Sequence, residues 1–212
     1  MNDKCTYGVH ILNMQCRLGF TPLIKAIQTH DKLTMKNLLA SHEVDVNKAD
    51  FNGFTPLIWA ADFGLLEVVN MLLDRRDILV NIQDNHGYTA LMWAADNGYH
   101  EIVRQMRTHE DLAVNIQDKD GNTALIWAAD SGHEEVVKEL LDDESIDPNI
   151  QTAEGFTALI CAASNGYHKV VRQLLAHQKT NRNLADSRGF TAMSAALNSK
   201  HFNVFQILKQ EH

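Results

Sequence analysis

The sequence predicts an all-α solenoid of stacked helix-turn-helix units with projecting β-turn or hairpin loops. The main observation is a period of 34 residues, in which a glycine, a variable and usually aromatic residue, and a threonine recur in six copies. The threonines are Thr21, Thr55, Thr89, Thr123, Thr157 and Thr191. A second observation is that each copy carries the pattern of two short helices and a loop. Composition agrees, since 45% hydrophobic and 22% charged residues are typical of a folded globular chain.

The first helix of each copy follows the threonine. In the third copy, the Thr89 hydroxyl can accept a hydrogen bond from the start of a helix, and Gly98 suits the left-handed position that ends it. Between them, Leu91, Ala94 and Ala95 lie three and four residues apart and therefore share one face of the helix. Because most of these side chains are small, the stripe predicts close packing against a neighbouring helix.

A second helix follows each of these glycines. Its apolar residues come as adjacent pairs four positions apart, as in Val68-Val69 followed by Leu72-Leu73. The next stretch, residues 77–87 in the second copy, contains turn formers around a short β-prone segment and is predicted to project as a loop or hairpin. No single copy could bury its apolar face alone, so the copies are predicted to stack.

The repeat register divides the chain into a cap, six copies and a tail. Residues 1–18 are predicted to form a degenerate half repeat that serves as an N-terminal cap. The copies span 19–52, 53–86, 87–120, 121–154, 155–188 and 189–208, the last with the C-terminal cap, and 209–212 form a tail. One interior position breaks the pattern, because Arg107 stands where neighbouring copies have Leu73, Leu141 and Leu175. We therefore expect a locally weak third copy, with faster amide exchange over 100–107 than over 135–141.

Two segments carry a recognisable motif, Thr21-Pro22-Leu23 and Thr55-Pro56-Leu57 with the residues that follow them. With the period and copy number, they resemble ankyrin repeat proteins, whose unit is a β-turn and two antiparallel helices with a Thr-Pro-Leu-His-x-Ala-Ala motif. The resemblance covers roughly residues 11–212 and implies an ankyrin-repeat solenoid. Each copy is one residue longer than the usual length of about 33. The motif histidine is replaced in every copy, by Ile24, Ile58, Met92, Ile126, Ile160 and Ser194, so we expect apolar packing in its place.

The resemblance also implies where a partner would bind. In ankyrin stacks the first helices line a concave side, and the matching positions here form what we call the Trp/Asp ladder: Trp59, Asp62, Phe63, Trp93, Asp96, Asn97, Trp127, Asp130 and Ser131. One interpretation is that the tryptophans only pack against adjacent copies. That interpretation leaves the aspartates unexplained, since nothing in the predicted fold requires them. The other is a groove for an extended cationic segment, because indole rings and carboxylates both attract Lys and Arg. Some ankyrin domains hold peptides, including methyl-lysine peptides, with tryptophans in this slot.

The projecting loops, which we call the finger loops, supply a second candidate surface. Their candidate partner-binding residues are Phe51, Asn52, Phe54, His86, Tyr88, Lys119 and Asp120. Exposed aromatic residues there could anchor a partner. The aromatic residue before each threonine recurs so regularly, however, that packing of finger against finger is the favoured interpretation.

Charge and motif content exclude several function classes. The formal net charge is -8, with 19 basic and 27 acidic residues and no basic cluster, so a nucleic-acid partner is not expected. The three cysteines form no CxxC pair, which argues against disulfides and zinc and favours an intracellular protein. No apolar run is long enough to cross a membrane. No HExxH, Walker or GxSxG motif occurs, so we expect neither catalysis nor a cofactor or metal.

Two function classes remain open. The first is a monomeric protein-interaction module or adaptor, whose partner is another protein or peptide with a Lys/Arg-rich segment bound along the Trp/Asp ladder. The alternative is the targeting arm of a larger or multi-component enzyme or effector, with recognition through the finger loops. The chain itself suits either a stand-alone adaptor or an excised domain, and fold analogy supports recognition of a protein without naming it.

Overall fold

The computed structural model describes residues 12–210, which form twelve α-helices and no β-strand. The only bridge of β type within this range is the isolated pair Ala185 and Thr191. Each copy contributes two helices. They are α1 Pro22–Gln28, α2 Lys32–Leu39, α3 Pro56–Asp62, α4 Leu66–Leu73, α5 Ala90–Asp96, α6 His100–Met106, α7 Ala124–Ser131, α8 Glu134–Leu141, α9 Ala158–Asn165, α10 His168–Ala176, α11 Ala192–Asn198 and α12 Phe202–Gln210. The predicted all-α class is confirmed.

The helices assemble into two compact units, one up to Ala90 and one from Leu91. In the first unit, α1 packs on α2 and α3, and α4 packs on α3 and α2. In the second unit, α7, α9 and α11 pack in sequence, and α6, α8, α10 and α12 do the same. Helix α12 continues to Gln210, two residues past the end drawn from the repeat register. Most of the predicted N-terminal cap, residues 1–11, and the end of the tail, 211–212, lie outside the described residues.

The threonines cap the first helices as expected. In five copies the threonine hydroxyl accepts a hydrogen bond of 3.2 to 3.4 Å from the backbone N–H three residues on. These capping residues are Thr21, Thr55, Thr123, Thr157 and Thr191. At the other end of the helix, Gly132 and Gly166 adopt left-handed conformations with φ of 75° and 82°. Glycine is favoured there because a Cβ would crowd the following carbonyl.

The ring of the residue that follows the helix-ending glycine packs on the glycine of the preceding copy. A Cβ added to Gly98 would stand 2.8 Å from the His133 ring, and one added to Gly132 would stand 2.7 Å from the Tyr167 ring. His133 Nε2 also lies 2.7 Å from the carbonyl oxygen of Asp96. His133 therefore packs between neighbouring copies and makes a polar contact to the preceding one.

The core consists of the apolar stripes that the sequence predicted. The isoleucines and the methionine that stand in place of the motif histidine are buried in the first five copies, at 3% exposure or less. In the second helices, the second valine of each predicted valine pair is fully buried, as Val69, Val137 and Val171 show. Ser194, in the sixth copy, instead donates a hydrogen bond to the carbonyl of Thr191. Apolar packing therefore replaces the motif histidine in five of the six copies, as expected, whereas the expectation is wrong for the sixth copy, where Ser194 makes a hydrogen bond instead.

Arg107 does not leave an unpaired cation in the third copy. Its Nη1 lies 3.3 Å from Glu139 Oε2, and its Nε lies 3.7 Å from Asp143 Oδ2. Glu139 also accepts hydrogen bonds from Arg104 Nε and Nη2 at 2.9 and 2.6 Å. The missing leucine is thus matched by an ion-pair cluster between α6 and α8. The ion pairs oppose the expected weak spot, whereas the buried Arg107 Nε, which has no hydrogen-bond partner, favours it. The weak third copy therefore stays a prediction.

We expect Glu139→Gln to lower the free energy of unfolding at neutral pH by about 1–2 kcal/mol, because it leaves two guanidinium groups without their shared carboxylate. Hydrogen bonds from Arg104, with a further contribution from the charge of Arg107, lower the pKa of Glu139. A lowered folded-state pKa stabilises the fold above the ordinary glutamate pKa of about 4.3, and that stabilisation is lost as the pH falls through the lowered value.

The difference in the free energy of unfolding between wild type and Glu139→Gln should therefore have its full size at pH 7 and shrink below about pH 4. Urea unfolding at a series of pH values measures it. The exposed neighbour Glu135, replaced by glutamine, is the matched control and should show almost no gap. A gap for Glu139→Gln that stayed constant across the acid range would show that packing, and not the ion pairs, accounts for it.

Candidate functional site

The Trp/Asp ladder lies at equivalent places in the two units. Trp59 and Asp62 lie on α3 in the first unit, and Phe63 follows that helix as its C-cap. In the second unit the ladder residues are Trp93, Asp96 and Asn97 on or just after α5, and Trp127, Asp130 and Ser131 on α7. All three indole rings are half-buried. The ladder is therefore present in both units, on or just after the first helix of the second, third and fourth copies.

The tryptophan edges are held by aspartates that the sequence analysis did not single out. Trp59 Nε1 donates to Asp50 Oδ2 at 3.1 Å, and Trp127 Nε1 donates to Asp118 Oδ2 at 3.0 Å. Each aspartate is buried and its other oxygen accepts backbone N–H groups of its own finger loop, so it links the loop to the helix. The signal was available, since an aspartate precedes each tryptophan by nine residues, whereas Thr152 precedes Cys161 by the same interval.

Trp59 is also enclosed by aromatic side chains of its own unit. Its ring centroid lies 4.9 Å from that of Phe54, 5.2 Å from that of Phe63 and 6.3 Å from that of Phe20. Tilted and edge-on pairs at these distances are stabilising. These contacts favour the packing interpretation for Trp59.

The ladder aspartates of the second unit have structural partners. Asp96 Oδ1 accepts a hydrogen bond of 2.9 Å from the hydroxyl of Ser131, and Asp130 Oδ1 accepts one of 2.9 Å from the amide of Asn165. The expectation that the fold gives these aspartates no role is therefore wrong. Each bond uses one carboxylate oxygen to join neighbouring copies, so the aspartates combine a structural bond with a negative charge on the surface.

We expect Trp127→Phe to lower the free energy of unfolding by about 1–2 kcal/mol, because it removes the indole N–H that donates to the charged, buried Asp118. Asp118→Asn should lower the free energy of unfolding by a similar amount. A double-mutant cycle by urea unfolding checks the cause, since the double variant should cost clearly less than the sum of the two single variants. Strict additivity would mean that the bond between Trp127 and Asp118 contributes nothing.

The finger loops contact one another within each unit. In the first unit, Asn85 N donates to Asn52 O, and Asn85 Nδ2 donates to Phe51 O. In the second unit, Ala153 N donates to Asp120 O at 2.9 Å. Of the remaining finger candidates, Phe54 and Tyr88 are half-buried, whereas His86 and Lys119 are exposed. Hydrogen bonds therefore join adjacent finger loops, whereas packing of their recurring aromatic side chains against one another stays a prediction. Phe51 is 65% exposed at the tip of its loop.

An open cavity of about 340 Å³ lies between the finger loops of the fourth and fifth copies. Its described lining residues are Asp120, Asn122, Ile126, Trp127, Asp130, Thr152, Ala153, Glu154, Phe156 and Cys161. Three of these ten carry carboxylates, two are aromatic and none is basic. Burial, with the nearby charge of Asp130, raises the pKa of Cys161 to about 12. The thiol is therefore protonated at physiological pH and is a weak nucleophile.

Residues 12–210 offer no sign of metal or membrane chemistry. No group of three or more His, Cys, Asp or Glu side chains in this range could hold a metal ion. Over the same residues, no helix has both the length and the apolar character that a membrane span requires. Cys16 and Cys161 are both free thiols.

Comparison with known proteins places the chain in a family. A family model described as ankyrin repeats in three copies matches residues 4–84, 77–152 and 144–212. None of the curated proteins searched matches the chain. Among solved structures, the crystal structure of EF0377, an ankyrin repeat protein, superposes with a TM-score of 0.83 at 30% identity, covering 92% of this chain and 99% of that one. Ankyrin repeats are generally non-catalytic protein-protein interaction modules. The chain belongs to the ankyrin repeat family.

Proposed function

We propose that this chain is a non-catalytic interaction module that binds an extended, Lys/Arg-rich segment of a partner protein across the first helices and finger loops of its second unit. The observation that carries the proposal is the cavity between the fourth and fifth copies, where Asp120, Asp130 and Glu154 surround two aromatic rings without a basic side chain among the described lining residues. Indole and phenyl faces attract cations, and the carboxylates add charge complementarity.

The net charge of the chain supports the same partner. At a formal charge of -8, the protein attracts cationic segments at long range and raises their rate of encounter. Ser131 and Asn165 hold the ladder carboxylates Asp96 and Asp130 in fixed positions, so little conformational freedom is lost when a cation binds there. The monomeric state and intracellular location stay predictions.

The test uses fluorescence anisotropy with a labelled hexapeptide of alternating lysine and arginine, and with hexaglutamate as the opposite-charge probe. We expect the cationic peptide to bind, the anionic one not to bind, and the affinity to fall as salt is raised. The triple variant Asp120→Asn, Asp130→Asn, Glu154→Gln should weaken binding at least about tenfold.

A triple variant with the same change in charge at exposed positions, Glu110→Gln, Asp142→Asn and Glu144→Gln, is the matched control. It should weaken binding far less, because those side chains do not line the cavity. Equal loss in both triple variants would mean that net charge alone attracts the peptide, and the proposed site would be wrong.

A second candidate function rests on Phe51. Its ring is 65% exposed at the tip of a finger loop in the first unit, where a partner could cover it. In this version the chain acts as the targeting arm of a larger enzyme or effector. A pull-down with wild type, the cavity triple variant and Phe51→Ser separates the two, because a partner lost only with Phe51→Ser would assign recognition to the finger loops.

A further inference from the structure

We propose that the cavity between the fourth and fifth copies takes a single arginine side chain of the partner, with its guanidinium group lying against the rings of Trp127 and Phe156. This inference rests on the proposed function, since it names the side chain that the cationic segment inserts there. It also commits to arginine over lysine. Two features support this choice: the aromatic and acidic lining of the cavity, and the way in which Arg188 of the chain itself packs on Phe156 and Phe190.

The lining of the cavity matches a flat cation. Trp127 is held in place by its bond to Asp118, so its ring presents a fixed wall. Carboxylates from three separate places in the chain, Asp120, Asp130 and Glu154, line the same cavity. A guanidinium group has five N–H donors in one plane and can pair with several carboxylates while it stacks on a ring.

The chain binds one of its own arginines in this manner one copy further along. The guanidinium carbon of Arg188 lies 5.6 Å from the ring centroid of Phe156 and 5.4 Å from that of Phe190. Its Nη2 and Nε donate to Asp186 Oδ2 at 3.0 and 3.2 Å. Phe156 therefore already accepts a guanidinium group, next to an aspartate. Since Phe156 also lines the cavity, Arg188 lies at the border of the cavity.

The repeat register shows what differs in the cavity. Glu154 occupies the position 34 residues before Arg188, so the fourth and fifth copies present a carboxylate where the fifth and sixth present a guanidinium group. The chain supplies its own arginine between Phe156 and Phe190, whereas the described residues that line the cavity beside Trp127 include no basic side chain. A cationic side chain of a partner would complement this acidic lining.

Arginine suits this cavity better than lysine for two physical reasons. Its guanidinium group is more weakly hydrated than an ammonium group, so less solvation is lost on entering a cavity that already desolvates Cys161. It also stacks flat on an aromatic face, whereas an ammonium group acts as a compact point charge. A cavity of about 340 Å³ is large enough for one long side chain but not for a folded element of a partner.

The experiment is an NMR titration that follows the indole N–H signals of the three tryptophans, with Trp127 assigned by its loss in Trp127→Phe. The probes are hexa-arginine and hexalysine peptides, added separately at equal concentration and constant salt. We expect the Trp127 indole signal to shift most with hexa-arginine, and hexalysine to bind at least about fivefold more weakly.

The decisive variant is Glu154→Arg, which installs the residue that the next copy carries. We expect it to weaken hexa-arginine binding at least about tenfold and to remove the Trp127 shift. Glu154 is exposed, so the variant should fold, and the milder Glu154→Gln should give an intermediate loss. Glu110→Arg makes the same change of charge on an exposed residue outside the cavity and should keep the Trp127 shift.

The outcomes separate this inference from the proposed function. Equal binding of both peptides, with both moving the Trp127 signal, leaves a cationic site but overturns the preference for arginine. Binding that leaves the Trp127 signal unmoved overturns the assignment to this cavity. Failure of both peptides to bind overturns the proposed function itself.

Discussion

Arg75→Met should lower the free energy of unfolding of the first unit by about 3–5 kcal/mol. Arg75 is only 8% exposed, and every one of its five N–H donors is used. The Nη groups donate to the carbonyls of Leu39, Ser41 and Val44, and Nε and Nη2 hold the carboxylate of Asp77. Methionine keeps the aliphatic part of the side chain but leaves three carbonyl acceptors without their donor.

The adjacent Arg76 makes the matched control, because it is exposed. Arg76→Met should change stability by less than about 0.5 kcal/mol. Urea unfolding followed by the circular dichroism of the helices measures both variants. Similar values for the two would mean that water replaces Arg75 at the three carbonyls at no cost.

Asp77 offers an independent check through pH. The hydrogen bond from Arg75 lowers the pKa of Asp77, so the pair stabilises the fold above the ordinary aspartate pKa of about 3.9 and loses this stabilisation as the pH falls through the lowered value. The difference between wild type and Asp77→Asn should accordingly be constant near neutral pH and close in acid. A difference that grew in acid would contradict the pairing.

The fold was predictable from sequence because the residues that determine each helix lie within a single copy. A threonine cap, a stripe of small residues and a closing glycine act within one helix, and six repetitions in register remove the ambiguity of any single copy. Thr123 and Gly132, for example, begin and end α7 through contacts inside one copy. Replacing the motif histidine with isoleucine changed packing chemistry but not the helix pattern, so the prediction survived it.

The partners of polar side chains were harder to predict, because they join positions about 30 to 36 residues apart. Arg107 was conspicuous in the sequence because it occupies a repeat position that is leucine in other copies. Its carboxylate partner Glu139, however, lies on the next copy. Arg75 had no signal in the sequence, since its acceptors are backbone carbonyls of the preceding copy. Only a pairing that itself repeats, such as Asp118 with Trp127, could have been found by comparing copies.

In the candidate site, too, the positions of the residues were predictable from the sequence but their contacts were not. The tryptophan and aspartate positions followed from the register, but their surroundings differ between copies. Trp59 is enclosed by phenylalanines, whereas Trp127 borders an open acidic cavity. A uniform ladder would give several equivalent subsites, and the structure instead favours one. The difference arises from residues outside the ladder, Phe156 and Glu154, which belong to a finger loop.

Gly155→Ala should lower the free energy of unfolding of the second unit by about 3 kcal/mol. Gly155 has φ of +84°, a left-handed conformation that costs an alanine about 1–2 kcal/mol. An added Cβ would also stand 2.8 Å from Ser187 N and 2.9 Å from Asp186 Cα. Both are backbone atoms, so the next finger loop must move, and overpacking of this kind costs about 1–3 kcal/mol more.

Gly189 separates the two costs, because it has nearly the same φ of +83° but no heavy atom within 4 Å of the added Cβ. Gly189→Ala should therefore show only the conformational cost of about 1–2 kcal/mol. The difference between the two variants in urea unfolding measures how tightly one finger loop holds the next. The displaced loop in Gly155→Ala carries Ser187 N, which donates to Glu154 O at 2.8 Å, so the same variant should also weaken hexa-arginine binding while Gly189→Ala preserves it. Equal losses in stability would show that the loop of Gly155, which supplies Glu154 and Phe156 to the cavity, is only loosely joined to the loop of Ser187.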